Sequence, residues 1–145
     1  MLFRHQVKNN AQVFNEKGQF VACGGLDNLS TIYSVQSQAS VAMLIGHNGW
    51  IGCNRFISDD KLVTTSGDCT AALWDIPTQV LVKSFTTSTT KASDAFALRV
   101  NPQDPNTFLV GYVVHTTSPN LVLWDTRIDE IVHSWNGDND INDIA

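Results

Sequence analysis

The sequence is poor in cysteine, in positive charge and in long apolar runs. Its three cysteines, Cys23, Cys53 and Cys69, are an odd number without paired metal-binding spacing, so we expect reduced thiols in the core of a cytoplasmic protein. Nine Lys and Arg against 14 Asp and Glu give a net charge of −5, which argues against nucleic acid as a ligand because phosphates require a dense basic surface. The sequence contains no apolar stretch suited to a membrane span or a signal peptide, so we expect no direct membrane insertion.

What the sequence has instead is the patterning of a β protein. Hydrophobic residues make up 43% of the chain and charged residues 16%, and the four Trp suit packing between sheets. Residues 62–75, Leu-Val-Thr-Thr-Ser-Gly-Asp-Cys-Thr-Ala-Ala-Leu-Trp-Asp, indicate two short strands that are joined by a turn and closed by a Trp-Asp pair. This ending is typical of one blade of a β-propeller, and Gly46-His47 stands where such a blade opens.

The unit recurs imperfectly, with Tyr33, Trp74 and Trp124 each at the same distance after a turn residue. The spacing is near the roughly 40–45 residues of a WD repeat, and turns rich in Pro, Asn and Ser lengthen the second interval. At this period 145 residues hold about three blades, whereas closed propellers need about four to eight. We therefore predict an all-β WD-repeat propeller fragment that forms one partial domain over 1–145, with blades over roughly 7–45, 46–90 and 91–137 and the start of another over 138–145.

A buried hydrogen-bond network is predicted in the middle blade. The neutral imidazole of His47 would bridge Asp68 and a hydroxyl of the second strand, either Thr64 or Ser66, and that hydroxyl would reach the indole N–H of Trp74. Every buried polar atom then has a partner. We interpret these residues as structural, and not as catalytic or ligand-binding.

The sequence offers no catalytic or metal-binding constellation. His47 and Cys53 lack the paired spacing of a zinc site. Carboxylates are plentiful only in 125–130 and 138–143, which have the character of solvated turns. The paired turn residues at 24–25 and 66–67 are not followed by a helix that could cradle phosphate. We therefore predict a protein that is not an enzyme and that needs no cofactor and no metal.

Three runs of the sequence together resemble the β subunit of heterotrimeric G proteins. They are Phe-Val-Ala-Cys-Gly-Gly-Leu-Asp-Asn-Leu-Ser-Thr-Ile-Tyr at 20–33, Gly-His-Asn-Gly-Trp-Ile-Gly-Cys-Asn-Arg-Phe at 46–56, and the stretch 62–76. The resemblance is close from about 18 to 76, resumes at 138–142 and is loose between them. It implies the second to fourth blades of a seven-bladed propeller and the start of the fifth. The family's N-terminal helix has no counterpart here, so a γ-subunit partner is expected only of a full-length form.

The resemblance also implies a partner-binding surface on the narrow face of the disc. Leu26 matches an apolar anchor, and Trp50 stands where the family has Tyr, which keeps an aromatic face but loses a hydroxyl. We expect both to be exposed on neighbouring loop ends of adjacent blades, with acids on the same rim steering a Lys-bearing segment. The other positions that match the family's surface are Asn28, Asp94, Phe96, Asp140 and Asn142.

The chain departs from the family at several of its characteristic positions. Lys8 and Asn10 replace two hydrophobic residues of the partner face, residues 86–93 replace a Gly-His opening, and Ser118-Pro119 replaces a turn Asp. The predicted function is a non-catalytic signalling scaffold that binds a G-protein α subunit and effectors, located in the cytoplasm and, through its partners, at the inner face of the plasma membrane. The alternatives are an unrelated WD-repeat adaptor for complex assembly and a truncated product without an independent function.

Overall fold

The computed structural model describes residues 11–87, 94–113, 120–137 and 144, and the regular secondary structure in these residues consists entirely of strands. Among them, no helix is long and apolar enough to cross a membrane. The strands are β1 (Gln12–Phe14), β2 (Phe20–Gly24), β3 (Ser30–Ser34), β4 (Ser40–Leu44), β5 (Ile51–Ser58), β6 (Lys61–Ser66), β7 (Thr70–Asp75), β8 (Val80–Thr86), β9 (Ala95–Val100), β10 (Thr107–Tyr112), β11 (Leu121–Asp125) and β12 (His133–Trp135).

Consecutive strands form three four-stranded antiparallel sheets, in the orders β1–β4, β5–β8 and β9–β12. We call these sheets blade one, blade two and blade three. Four neighbouring strands in chain order are the meander of a propeller blade, so the predicted all-β WD-repeat architecture is confirmed. The predicted start of a fourth blade, 138–145, lies outside the described residues except for Ile144.

The turns of blades one and two repeat the same backbone strain. Asn28 and Cys69 occupy equivalent turns before the third strand of each sheet, with φ of 68° and 76°. Gln38 and Gln79 occupy equivalent turns before the fourth strand, with φ of 54° and 57°. Left-handed backbone at non-glycine residues is uncommon, so this recurrence shows that the two blades share one chain path. It also corrects one expectation, because Cys69 lies partly exposed in a turn, whereas Cys23 and Cys53 are buried.

The apolar core lies between the blades. Alternate residues of a strand point to opposite faces, so Leu62 and Trp74 of blade two pack towards blade one, while Val63 and Leu73 pack towards blade three. This is why β6 and β7 are almost continuously buried, as strands covered on both faces are.

Buried polar bonds join the blades as well. The side-chain amide of Asn54 in blade two donates to the carbonyl of Ala11 at 2.5 Å and accepts from the hydroxyl of Ser30 at 2.8 Å, and both partners belong to the blade-one side. Thr65 of blade two donates to the carbonyl of Phe96 in blade three at 2.9 Å. These bonds fix how each sheet is seated against the next.

Candidate functional site

His47 is the centre of a hydrogen-bond network in blade two. Its Nδ1 lies 2.8 Å from Oδ2 of Asp68, and its Nε2 lies 2.6 Å from Oγ1 of Thr64. The indole of Trp74 donates to the same Thr64 oxygen at 2.9 Å. With the imidazole proton on Nδ1, Thr64 accepts from Trp74 and donates to Nε2, which satisfies every group in the chain of bonds. The other candidate hydroxyl, Ser66, donates to the carbonyl of Gly49 instead.

Asp68 ties this network to the loop that precedes β5. Burial would raise the pKa of Asp68, but hydrogen bonds from His47, Thr70 and the backbone N–H of Asn48 outweigh burial and hold the pKa well below its ordinary value. The carboxylate therefore remains charged at neutral pH and accepts from Asn48 at 3.0 Å. Gly49 approaches so closely that a Cβ on it would lie 2.5 Å from the nitrogen of Asp68. The loop 46–50 is thus held against the β6–β7 turn.

In the part of blade three that the structure describes, this network is absent and two buried polar atoms have no hydrogen-bond partner. Trp124 of β11 pairs with Phe108 of β10, just as Trp74 of β7 pairs with Leu62 of β6. Two residues further along the second strand, Val110 therefore occupies the position that Thr64 has in blade two. Among the described residues, the buried side-chain atoms without a hydrogen-bond partner are Trp124 Nε1 and Tyr112 Oη. Burial raises the pKa of Tyr112 far above its ordinary value.

Replacing Val110 by threonine should therefore stabilise the chain. A hydroxyl at this position would give Trp124 Nε1 the acceptor that Thr64 gives Trp74, so we expect the free energy of unfolding to rise by about 1 kcal/mol in denaturant titration. Val63→Thr puts a hydroxyl into the same core cluster from blade two and should destabilise. Equal losses in both variants would contradict the assigned register.

Trp50 packs between blades two and three. Its indole contacts the ring of Phe96 edge-on, with ring centroids 5.6 Å apart and planes at 62°. It also lies against the backbone of Gly67 in the β6–β7 turn. Trp50 is consequently half-buried, which corrects the expectation that it is exposed. Its position just before β5 and that of Phe96 at the start of β9 place both residues at the same end of their sheets.

Leu26 and Asn28 lie at this end too, in the connection between β2 and β3. Leu26 is 46% exposed. Asn28 is half-buried and takes the left-handed turn conformation, so it has a backbone role as well. The carbonyl of Gly25 accepts from the N–H of Ile51 at 3.0 Å, which brings the Leu26 connection beside the residue that follows Trp50. Leu26 and Trp50 are therefore on neighbouring connections of adjacent blades.

Acidic groups surround the same end of the sheets. Burial raises the pKa of the Cys69 thiol, and the carboxylates of Asp94 and Asp68 raise it further. Asp94 is half-buried, and its carbonyl accepts from Val113 at 3.0 Å. Among the described residues, no three His, Cys, Asp or Glu side chains are grouped to hold a metal ion. We use the term upper edge for the set of Leu26, Trp50, Asp94 and Phe96.

Four positions from the sequence analysis cannot be placed on this edge. Asp140, Asn142, Lys8 and Asn10 all lie outside the described residues. The sequence predicts Gly67 only as a turn residue, whereas the need for glycine there arises from the approach of an indole. The available signal was a glycine directly before the turn residue Asp68 in a blade whose opening loop carries a tryptophan.

The repeat family described as "WD domain, G-beta repeat" matches residues 38–75. The match covers a single repeat unit. The repeat is offset from the sheets, because it joins β4, the outer strand of blade one, to β5, β6 and β7 of blade two. One repeat thus contributes to two blades, and neighbouring blades are linked covalently through it.

Curated relatives are β subunits of guanine nucleotide-binding proteins. The chain is 45% identical over 98 residues to subunit beta-1 of Caenorhabditis briggsae, which covers 65% of this chain and 28% of that protein. It is 46% identical over 96 residues to subunit beta of Lymnaea stagnalis, which covers 63% and 27%, and 43% identical over 90 residues to subunit beta-1 of Drosophila melanogaster, which covers 59% and 26%. The predicted resemblance to this family is confirmed, and the chain spans only about a quarter of the length of these relatives.

Proposed function

We propose that this WD-repeat chain is part of a non-catalytic scaffold of the G-protein β-subunit type, and that its upper edge binds the α subunit and, in turn, effectors. The observation that supports this most directly is the placement of Leu26 and Trp50 on neighbouring connections of adjacent blades. An apolar anchor beside an aromatic one is the usual centre of a protein interface. The similarity to G-protein β subunits supports a G-protein α subunit as the partner.

The charge of the upper edge suits a partner segment that carries lysine or arginine. Asp68 remains anionic beneath the loop 46–50, and Asp94 lies close enough to Cys69 for its charge to act on the thiol. Carboxylates near an apolar centre raise the rate of encounter with a cationic segment more than they raise final affinity. In this proposal the acids steer the partner, and Leu26 and Trp50 supply most of the binding energy.

Asp140 and Asn142 would extend the same surface, with Asn28 and Phe96 as neighbours, in agreement with the family resemblance. Lys8 and Asn10 would lower the affinity without moving the interface. A γ subunit would join only in a full-length form, and the location would be the cytoplasm and, through partners, the inner face of the plasma membrane. The whole would be one partial propeller domain that binds proteins and not nucleic acid.

Leu26→Ala and Trp50→Ala should each weaken binding to a GDP-bound α subunit at least about tenfold, because each removes an apolar anchor from the centre of the interface. Isothermal titration calorimetry of the purified chain would measure the dissociation constants. The matched control is Val35→Ala, since Val35 is also 46% exposed but follows β3 at the opposite end of the sheet. Trp50→Tyr keeps an aromatic face and should retain most of the affinity.

The outcome separates the proposal from the adaptor alternative. If both alanine variants stay folded and bind as well as the unaltered chain, the upper edge is not the interface. If Val35→Ala weakens binding and Leu26→Ala does not, the interface lies at the opposite end of the blades. If the unaltered chain binds no α subunit, an adaptor that assembles other proteins becomes the better interpretation.

A further inference from the structure

The indole of Trp50 lies so close to Gly67 that residue 67 has no room for a side chain. A Cβ built on Gly67 would lie 2.2 Å from Nε1 of Trp50 and 2.4 Å from its Cε2. The φ of Gly67 is not in the left-handed region, so the backbone itself would accept alanine. The indole is therefore the reason that this position requires glycine. The N–H of Gly67 also donates to the carbonyl of Trp50 at 2.9 Å, which fixes the two backbones together.

Two further contacts complete the seat of the indole. A Cβ on Gly52 would lie 3.1 Å from Cζ3 of Trp50 and 3.0 Å from the carbonyl oxygen of Ala95, so the six-membered ring is close to the backbone there as well. Phe96 holds the ring system edge-on from blade three. Trp50 is thus confined by the backbone of its own blade and by a side chain of the next blade. A side chain confined in this way has little rotamer freedom left to lose on binding.

We infer that Gly67 is a positioning residue of the partner surface: its missing side chain seats the Trp50 indole between blades two and three and orients the remaining indole surface beside Leu26. This inference rests on the proposed function for the identity of the partner. The seating itself depends only on the contacts of Trp50 with Gly67, Gly52 and Phe96. A partner that meets a pre-oriented aromatic anchor binds more tightly than one that must order it.

Gly67→Ala should displace the indole and weaken α-subunit binding at least about tenfold, as Trp50→Ala does. The decisive comparison adds Gly67→Ala to Trp50→Ala. Because the clash disappears with the indole, the added methyl should then change neither the affinity nor the denaturant midpoint, although it lowers both in the unaltered chain. The indole N–H resonance of Trp50, assigned by its loss in Trp50→Ala, should shift in Gly67→Ala, which reports seating without any partner.

The matched control is Gly46→Ala, whose added Cβ would lie 2.9 Å from Cη2 of Trp74, the indole of the hydrogen-bond network. Its effect on the midpoint should be the same with and without Trp50. If Gly67→Ala costs equal stability in both backgrounds, or leaves the Trp50 resonance unmoved, Gly67 does not seat the indole. A shifted resonance with unchanged α-subunit affinity would overturn the role in binding. If the unaltered chain binds no α subunit, the proposed function fails, and the midpoints and resonance still decide the seating.

Discussion

Replacing Thr64 by valine should lower the free energy of unfolding by roughly 2–4 kcal/mol, because it leaves two buried groups without partners at once. Thr64 Oγ1 is the acceptor for the indole N–H of Trp74 and lies 2.6 Å from Nε2 of His47. Valine fills nearly the same space, so the loss would come from hydrogen bonding and not from a cavity. Denaturant unfolding of the purified chain, followed by tryptophan fluorescence, would measure the change.

Thr65→Val provides the control for this prediction. Thr65 is the next residue of β6 and is equally buried, and among the described residues its hydroxyl bonds to the carbonyl of Phe96. Its replacement should cost only about 1 kcal/mol. His47→Ala combined with Thr64→Val should cost less than the sum of the two single changes, since both act on one network. Equal losses for the two threonines, or strict additivity with His47, would contradict a shared network.

Blade two could be predicted from the sequence because its polar residues and its turn depend on one another. Asp68 of the turn, His47 of the Gly-His opening and Trp74 of the Trp-Asp ending all take part in one set of hydrogen bonds, so the spacing of these three residues predicts the blade. Blade three lost the opening and the turn Asp, yet it has the same four strands. The alternate residues Phe108, Val110 and Tyr112 of β10 all point into one core, and this apolar alternation is sufficient to form the sheet.

The seating of Trp50 could not be predicted in the same way. Its loop suggested an exposed anchor, but its burial depends on Gly67 and Phe96, which come together only when two blades pack. The same limit applies to Asn54, whose partners are far away in the sequence and belong to another sheet. Local pattern predicts which residues form a blade, whereas contacts between blades depend on tertiary geometry.

Asn54→Leu should loosen blade one from blade two and lower the free energy of unfolding by roughly 2–3 kcal/mol. Asn54 is fully buried, and its amide bonds both the carbonyl of Ala11 and the hydroxyl of Ser30. Leucine is similar in size, so it would leave the Ser30 hydroxyl buried and unpaired, while the carbonyl of Ala11 would keep only the bond that it accepts from the N–H of Gly24. Hydrogen exchange should then show faster exchange in β1 to β4 than in the unaltered chain, while β9 to β12 stay protected.

The loss of stability in Asn54→Leu depends on how many buried polar groups are left without a hydrogen bond, so a second substitution can test its cause. Ser30→Ala alone removes one bond and should cost less than Asn54→Leu. Combined with Asn54→Leu it removes the orphaned hydroxyl, so the double variant should regain part of the stability that leucine alone had lost. The carbonyl of Ala11 would then lack the bond from Asn54 but keep the bond from the N–H of Gly24. A double variant less stable than Asn54→Leu would mean that shape at this blade junction, and not hydrogen bonding, determines the stability.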